Sequence, residues 1–311
     1  MLGAAATTAY LLRLNVDQFV SAIGTAGTQA AGLWQFLLDA THSKQVHTAQ
    51  ACAAGVFSAY TSASGLLGTA DILEGARGMG ATLGNLDPTP SAIDCDLGKK
   101  WSVLESSFKW HASCRHTHPS ADALLALLKE EGVKYTDIAR ITAYTYKAAI
   151  DVLSLSGEGK TVHQSKFSMG FVLAVAAKKG SAGLMDFTEA DLVDSELREL
   201  QGKVNMVLDE DINKEFPARW LGRVVVETKD GRTLTRSVDV VKGDPGWTLT
   251  RYVPAIIFFT QADFFVREEI ESKALALAQY GHVQDIPAFK DAVQRIWNLE
   301  AQDKIERYSF A

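Results

Sequence analysis

Residues 222–241 read GRVVVETKDGRTLTRSVDVV, and this stretch keeps the chain from being classed as all-helical. Its arms, Arg223–Thr228 and Thr233–Val241, are rich in β-formers and flank Asp230-Gly231, the dipeptide that a type I′ hairpin turn prefers. A further candidate strand lies upstream in RITAYTYKA, residues 140–148, where alternating β-branched and aromatic side chains suit a half-buried sheet face. The segments between are helical. Residues 119–130 (PSADALLALLKE) are amphipathic and carry a proline in the first turn, where a missing N–H costs nothing. Residues 168–178 (SMGFVLAVAAK) form another helix that stops at Gly180. Strands and helices without regular βαβ alternation predict an α+β unit.

Outward from it the texture is different. Residues 1 to about 90 are rich in Ala, Gly, Leu and Thr, as in AIGTAGTQAAG at 22–32. Small side chains let helices approach closely, and Leu33, Phe36 and Leu37 have the spacing of a buried helical stripe. A second run, residues 49–67, predicts a helix that stops at Gly68, and DILEGARGMGATLG (71–84) predicts a short helix before a Gly-rich stretch. The expectation is a chain that is mainly α with an α+β part: a helical domain over 1–106, an α+β lid domain over 107–245, and C-terminal helices over 246–311 that return to the helical domain. Helix resumes at REEIESKALALAQYG (267–281). Before it, YVPAIIFFTQADFFV (252–266) has no clean period. It reads either as a buried element or as an apolar insert foreign to the fold.

Composition narrows the function classes. An apolar fraction of 47% with 22% charged residues excludes wholesale disorder. Thirty-one basic against 37 acidic residues give a net charge of −6, which argues against a nucleic-acid-binding protein while leaving local anion sites open. Three scattered cysteines, Cys52, Cys95 and Cys114, do not make a disulfide framework and point to a reducing compartment. No basic segment precedes the apolar N-terminus, which Arg13 and Asp17 interrupt. The apolar stretch at 252–266 falls short of the ~20 residues a bilayer requires. An intracellular chain, cytoplasmic or mitochondrial and without a membrane span, is expected.

The densest set of reactive side chains is KWHASCRHTHPSAD, residues 109–122, with three of the seven histidines. As zinc ligands, His111, Cys114, His116 and His118 would have a spacing that matches no usual arrangement, so no metal is expected. Cationic neighbours could activate Cys114 as a nucleophile, yet no acyl-transfer constellation surrounds it. Lys109, Arg115 and the imidazoles, just before a helix N-terminus, would attract carboxylates; the alternative is a solvated basic loop. A second cationic locus is SKQVHTAQ (43–50), where Lys44 stands at a helix start with His47 close behind. That placement opposes the helix dipole unless an anion sits between.

Taken in order, GTAGTQAAGLWQFL, SKQVHTAQACAAGVFSAY, ILEGARGMG, FKWHASCRHTHPSADALL, QSKFSMGFVLAVA, KDGRT and GDPG before EEIESKAL resemble the MmgE/PrpD family of 2-methylcitrate dehydratases and cis-aconitate decarboxylases. The resemblance implies a helical domain with a smaller lid, a homodimer, a substrate cleft between the two domains, and neither metal nor organic cofactor. It also implies that an N-terminal helical portion with an Asp-Asp-Thr…His-Pro motif is missing. Lys44 resembles the pocket lysine of a K-x-[LV]-H motif, and Lys109 the lysine that opens the lid motif. His118 matches a histidine of the decarboxylase branch. Cys114 stands where the animal decarboxylase has a catalytic histidine, and the tyrosine of that branch is replaced near Ile150. Dehydration of a 2-methylcitrate-like tricarboxylate is therefore the expected reaction, with cis-aconitate decarboxylation or a truncated non-catalytic homologue as alternatives. His118, Lys109 and Lys44 are the expected catalytic residues, with His111 and His116 as weaker proton carriers. Lys44, His47, Lys109, Arg115 and Cys114 are expected to bind the substrate, a small di- or tricarboxylate.

Overall fold

The chain divides after Ser102 in this computed structural model, into units Met1–Ser102 and Val103–Ala311. The structure describes residues 1–39, 41–84, 95–244 and 266–301. In the first unit α1 (Leu2–Leu11), α2 (Val16–Gly27), α3 (Gln35–Asp39) and α4 (Ser43–Ala63) are joined by turns. Asn15 starts α2 with a reciprocal cap. Its side chain accepts from the Gln18 N–H at 2.9 Å, while the Gln18 side chain accepts from the Asn15 N–H at 3.3 Å.

Small residues set the packing of this unit. Ala5, Ala9, Ala22, Ala26, Ala54 and Ala59 are buried, together with Ser21, Ser58 and Ser62. A Cβ at Gly24 would stand 1.8 Å from the Thr69 carbonyl oxygen, so a glycine is required where α2 meets that strap of chain. Large apolar side chains lie outside instead: Tyr10, Leu11, Trp34, Val46, Phe57 and Tyr60 are all exposed. The expected stripe at Leu33, Phe36 and Leu37 is therefore corrected. Leu33 is 87% exposed and lies outside α3, and Phe36 and Leu37 are half-buried. The helix expected to run to Gly68 ends at Ala63, because Gly65 takes a left-handed conformation at φ 95°. The segment 71–84 holds turns and one π-helical turn, Gly80–Gly84, in place of a short helix.

The second unit carries a four-stranded sheet in the order β2-β1-β3-β4, with β1 Ile138–Thr145, β2 Val204–Leu208, β3 Gly222–Thr228 and β4 Thr233–Val238. β1 pairs parallel with β2 and antiparallel with β3, and β3 pairs antiparallel with β4. Helix α5 (His118–Glu131) packs on β3, β4 and α7 (Met169–Lys179). Between β1 and α7 lies α6 (Lys147–Leu153). Val224, Val226, Ile138, Ile141 and Ala143 face the core with Leu124, Leu127 and nearly all of α7. The first two turns of α7 are apolar all round, which suits a helical segment buried on every side, and Lys178 and Lys179 end it towards the surface. The hairpin departs from the expected type I′ geometry. Only Gly231 has positive φ, at 88°. Its N–H donates to the Thr228 carbonyl, and the Thr228 N–H donates to Arg232. This is the three-residue loop that ends in a left-handed glycine. The first strand begins at Ile138 and ends at Thr145, two residues earlier than expected at its start and three at its end.

α8 (Ser195–Gly202) and α9 (Glu210–Glu215) flank β2. The chain resumes with α10 (Val266–Tyr280) and α11 (Ile286–Trp297). These helices, expected to return to the first unit, belong to the second. Lys273 of α10 donates to the Trp110 carbonyl at 2.8 Å, and Glu269 pairs with Lys242 at 2.5 Å. The apolar block at 252–266 lies outside the described residues up to Phe265.

One contact links the sheet to the first turn of α5. A Cβ at Gly222, the first residue of β3, would stand 2.6 Å from the Pro119 Cβ and 3.0 Å from the Pro119 carbonyl carbon. Gly222→Ala is expected to cost about 1–3 kcal/mol through overpacking, read as a lower urea midpoint of the full chain with an unchanged slope.

Candidate active site

Residues 108–117 are held by backbone bonds to three separate stretches. The Phe108 N–H donates to Gly243, Ala112 to Ala182 and Cys114 to Lys166, at 2.8–2.9 Å. Arg115–Thr117 then form a single 3-10 turn that leads into α5. The stretch is not the solvated basic loop offered as the alternative reading, since His111, Ser113, Cys114, Thr117 and His118 are all buried. Asp122, one turn into α5, explains much of this. One of its carboxylate oxygens meets His111 Nε2 at 2.8 Å, and the other accepts from the Lys242 N–H at 2.8 Å. The His111–Asp122 pair faces a cavity of about 790 Å³ within this unit, which Trp110, Lys242 and Lys273 also line. The ammonium groups of Lys242 and Lys273 lie 4.1 and 5.7 Å from the Trp110 ring centre.

His118 stands edge-on to His111, with ring centres 5.0 Å apart. It is fully buried, and neither ring nitrogen makes a hydrogen bond of good geometry among the described residues, although the Ser113 backbone lies near enough to favour its protonated form. Burial, followed by the cationic character of His111, Arg115 and Lys109, lowers its pKa from 6.5 to about 2. The imidazole is therefore neutral at physiological pH. Arg115 pairs with Asp244 and lies 5.3 Å from the Trp220 ring centre, while its Nη1 is buried without a partner. The hydroxyl of Ser120 is likewise buried and unpartnered. Unmet polar atoms thus gather on residues 115–120, an unusual concentration for a folded interior.

His116 is half-buried and tightly framed. Its Nδ1 lies 2.8 Å from the Tyr146 hydroxyl, and its ring stacks on Trp220 at 5.0 Å and 16°. Tyr146 is fully buried and stacks on Phe216 at 4.3 Å and 12°. Burial raises the Tyr146 phenol well above its ordinary range, so it stays protonated. Sequence reasoning missed Tyr146, Phe216, Trp220, Asp122 and Asp244. The signal available was the local one for Asp122, four residues after His118. The others are 30 or more residues away from His116.

The structure brings Lys109, His111 and Arg115 within electrostatic reach of His118. Lys109 is exposed and Cys114 buried. Lys44 and His47 belong to the first unit, in the opening turns of α4, which has no acidic residue in its first turn and no side-chain cap. Lys44 is exposed, and half-buried His47 meets the Phe36 ring edge-on at 5.4 Å. His47 lines a separate cavity of about 500 Å³ with Gly32, Phe36 and Gln50. Among the described residues no group of three or more His, Cys, Asp or Glu side chains could hold a metal ion, and no helix is long and apolar enough to cross a membrane.

A helical unit followed by an α+β unit, with a histidine- and cation-rich turn at the head of the latter's first long helix, defines a two-part architecture that comparisons identify. Residues 1–90 match the MmgE/PrpD N-terminal domain and residues 111–253 the MmgE/PrpD C-terminal domain; the chain belongs to the MmgE/PrpD family. It is also similar to the cis-aconitate decarboxylase-like protein oryM of Aspergillus oryzae, with 28% identity over 258 residues. That match covers 78% of this chain and 53% of the relative, so the chain spans about half the relative's length.

The neutral His118 makes an acid-stability prediction. Its pKa is about 6.5 in the unfolded chain and about 2 in the folded one, so the unfolded state binds the extra proton between those values. Stability is thus unaffected by this group above pH 6.5 and falls by about 1.4 kcal/mol per pH unit below it. Urea midpoints measured from pH 7 to pH 5 should fall less steeply in His118→Leu than in the unmodified chain.

Proposed function

We propose that the chain carries a cofactor-independent lyase site for a small di- or tricarboxylate, with dehydration of a 2-methylcitrate-like acid as its reaction. The observation that carries this reading is the set of unmet buried polar atoms on Arg115, His118 and Ser120 beside Lys109. Burial is the main cause of the lowered His118 pKa, and a substrate carboxylate against Arg115 and Lys109 would offset the further lowering by those two charges and so favour proton uptake by that imidazole. Dehydration takes a proton from the carbon beside a carboxylate, breaks the C–O bond of the neighbouring carbon, and releases the hydroxyl with a proton as water. Negative charge builds on the carboxylate side, where Lys109 and Arg115 stabilise it. In the same reading Cys114 lies in the wall of the site.

The name of the Aspergillus relative favours a second reaction. In decarboxylation of cis-aconitate the C–C bond to one carboxylate breaks, CO₂ leaves, and a proton is delivered to carbon while the same cations hold the remaining carboxylates. The two are separated by assay: 2-methylcitrate is followed by the absorbance of its unsaturated product, and cis-aconitate by CO₂ release. His118→Gln is expected to lower kcat by about 100-fold, and Lys109→Ala to raise KM by about 10-fold through a lost charged contact. Unchanged rates in His118→Gln would remove it from the mechanism, and turnover of neither acid would favour a non-catalytic homologue.

The reading extends to a homodimer, supported by the exposed apolar side chains of the first unit, among them Tyr10, Leu11, Phe57 and Tyr60. Sedimentation should give twice the chain mass at micromolar concentration; a monomer there would contradict it.

A further inference from the structure

We infer that the cavity beside Trp110 is a binding site for a small monocarboxylate with an apolar body, the carboxylate resting on Lys273. The cavity, about 790 Å³ in volume, falls within the range of about 300–1,000 Å³ that small-molecule sites occupy. Much of its wall is apolar, with Leu125 of α5, Leu184 after α7, and Ala276 and Leu277 of α10. Lys109, Arg115, His118 and Ser120 are not among the residues that line it. The inference therefore goes beyond the lyase reading and does not depend on it.

Charge matching points to Lys273. Lys178, Lys179, Lys203 and Lys242 are largely covered, and each meets a carboxylate at 2.5–2.7 Å. Lys273 is half-buried and meets none among the described residues. Its ammonium donates to the Trp110 carbonyl at 2.8 Å and lies 5.7 Å from the centre of that residue's ring. These contacts hold the head of a flexible side chain in place, and an ammonium has further N–H donors to give. Burial holds its pKa below the ordinary lysine range, as expected of a cation partly stripped of water with no counter-ion to favour its charge. Two acids of the wall are engaged elsewhere: Asp122 by His111 and the Lys242 N–H, and Glu269 by the Lys242 ammonium. Exposed Glu268 and Lys129 balance each other in charge. One uncompensated positive charge against an apolar wall suits a ligand with one negative charge and a hydrocarbon body. A doubly charged phosphate would carry an unmet charge into the cavity.

The test is calorimetric titration of the full chain with 4-phenylbutanoate, its neutral amide and inorganic phosphate. The acid should bind with a Kd of about 1 mM or tighter, the scale for a ligand of this size. The amide should bind at least about tenfold more weakly, through loss of the charged contact. Lys273→Met, which keeps the stem, should weaken the acid by about tenfold, and Lys273→Arg should hold it within about threefold. Ala276→Phe, which fills the cavity, should weaken acid and amide alike. Lys109→Ala should leave the affinity within about twofold, as expected of a distant residue; a tenfold loss there would place the acid at the lyase site and overturn the inference. No binding of the acid at about 10 mM, equal affinity for the amide, or an affinity that Lys273→Met leaves unchanged also overturns it. Phosphate that binds as tightly as the acid does so too, since the apolar wall would then contribute nothing. Should Lys273→Met not fold, the comparison of acid with amide in the unmodified chain still decides. Turnover is not read in these titrations, so the lyase reading stands or falls separately on its own assays.

Discussion

The carboxylate of Asp122 is the constraint from which the second unit's site is built. A buried carboxylate is tolerated only when its oxygens are met, and here one meets His111 and the other the backbone N–H of Lys242. These partners lie 11 and 120 residues away, so a single side chain ties the turn before α5 to the turn after β4. Removing it would leave a buried imidazole and a buried N–H unmet together. The contact also fixes what surrounds it. His111 is held edge-on to His118, and Gly243 and Asp244, next to Lys242, reach Phe108 and Arg115.

Packing in the two units follows opposite strategies. The second encloses a conventional interior of Val, Ile, Leu and Phe between sheet and helices. The first closes its helices on alanine, serine and glycine and leaves its large apolar side chains outside. An interior of small residues brings backbones close but buries little apolar area per residue, and what it leaves on the surface is the larger share of its hydrophobicity.

Much of the local architecture was legible from the residues. Pro119 in a first turn, Gly180 after α7 and Asp230-Gly231 between two β-rich arms each mark an element boundary by a backbone preference that acts over a few residues. The errors arose where tertiary contacts set the outcome. Leu33 has helical spacing but no neighbour to bury it, and α10 docks on the second unit through Lys273 and Glu269, whose partners Trp110 and Lys242 are distant in the sequence. The site divides in the same way. The stretch 109–122 announces itself by composition. Tyr146, Phe216, Trp220 and Asp244 do not, because nothing local distinguishes them from ordinary core or loop residues.

The strand order has a kinetic consequence. β3 and β4 are joined by the four residues 229–232 and can pair as soon as both exist, on the microsecond scale of an isolated hairpin. β1 and β2 run parallel and are separated by residues 146–203, so their ladder forms only after that excursion has folded back and its closure entropy has been met. Tyr146 lies at one end of the excursion. The rings around His116 come from residues 116, 146, 216 and 220, so they too meet only across long separations in the sequence.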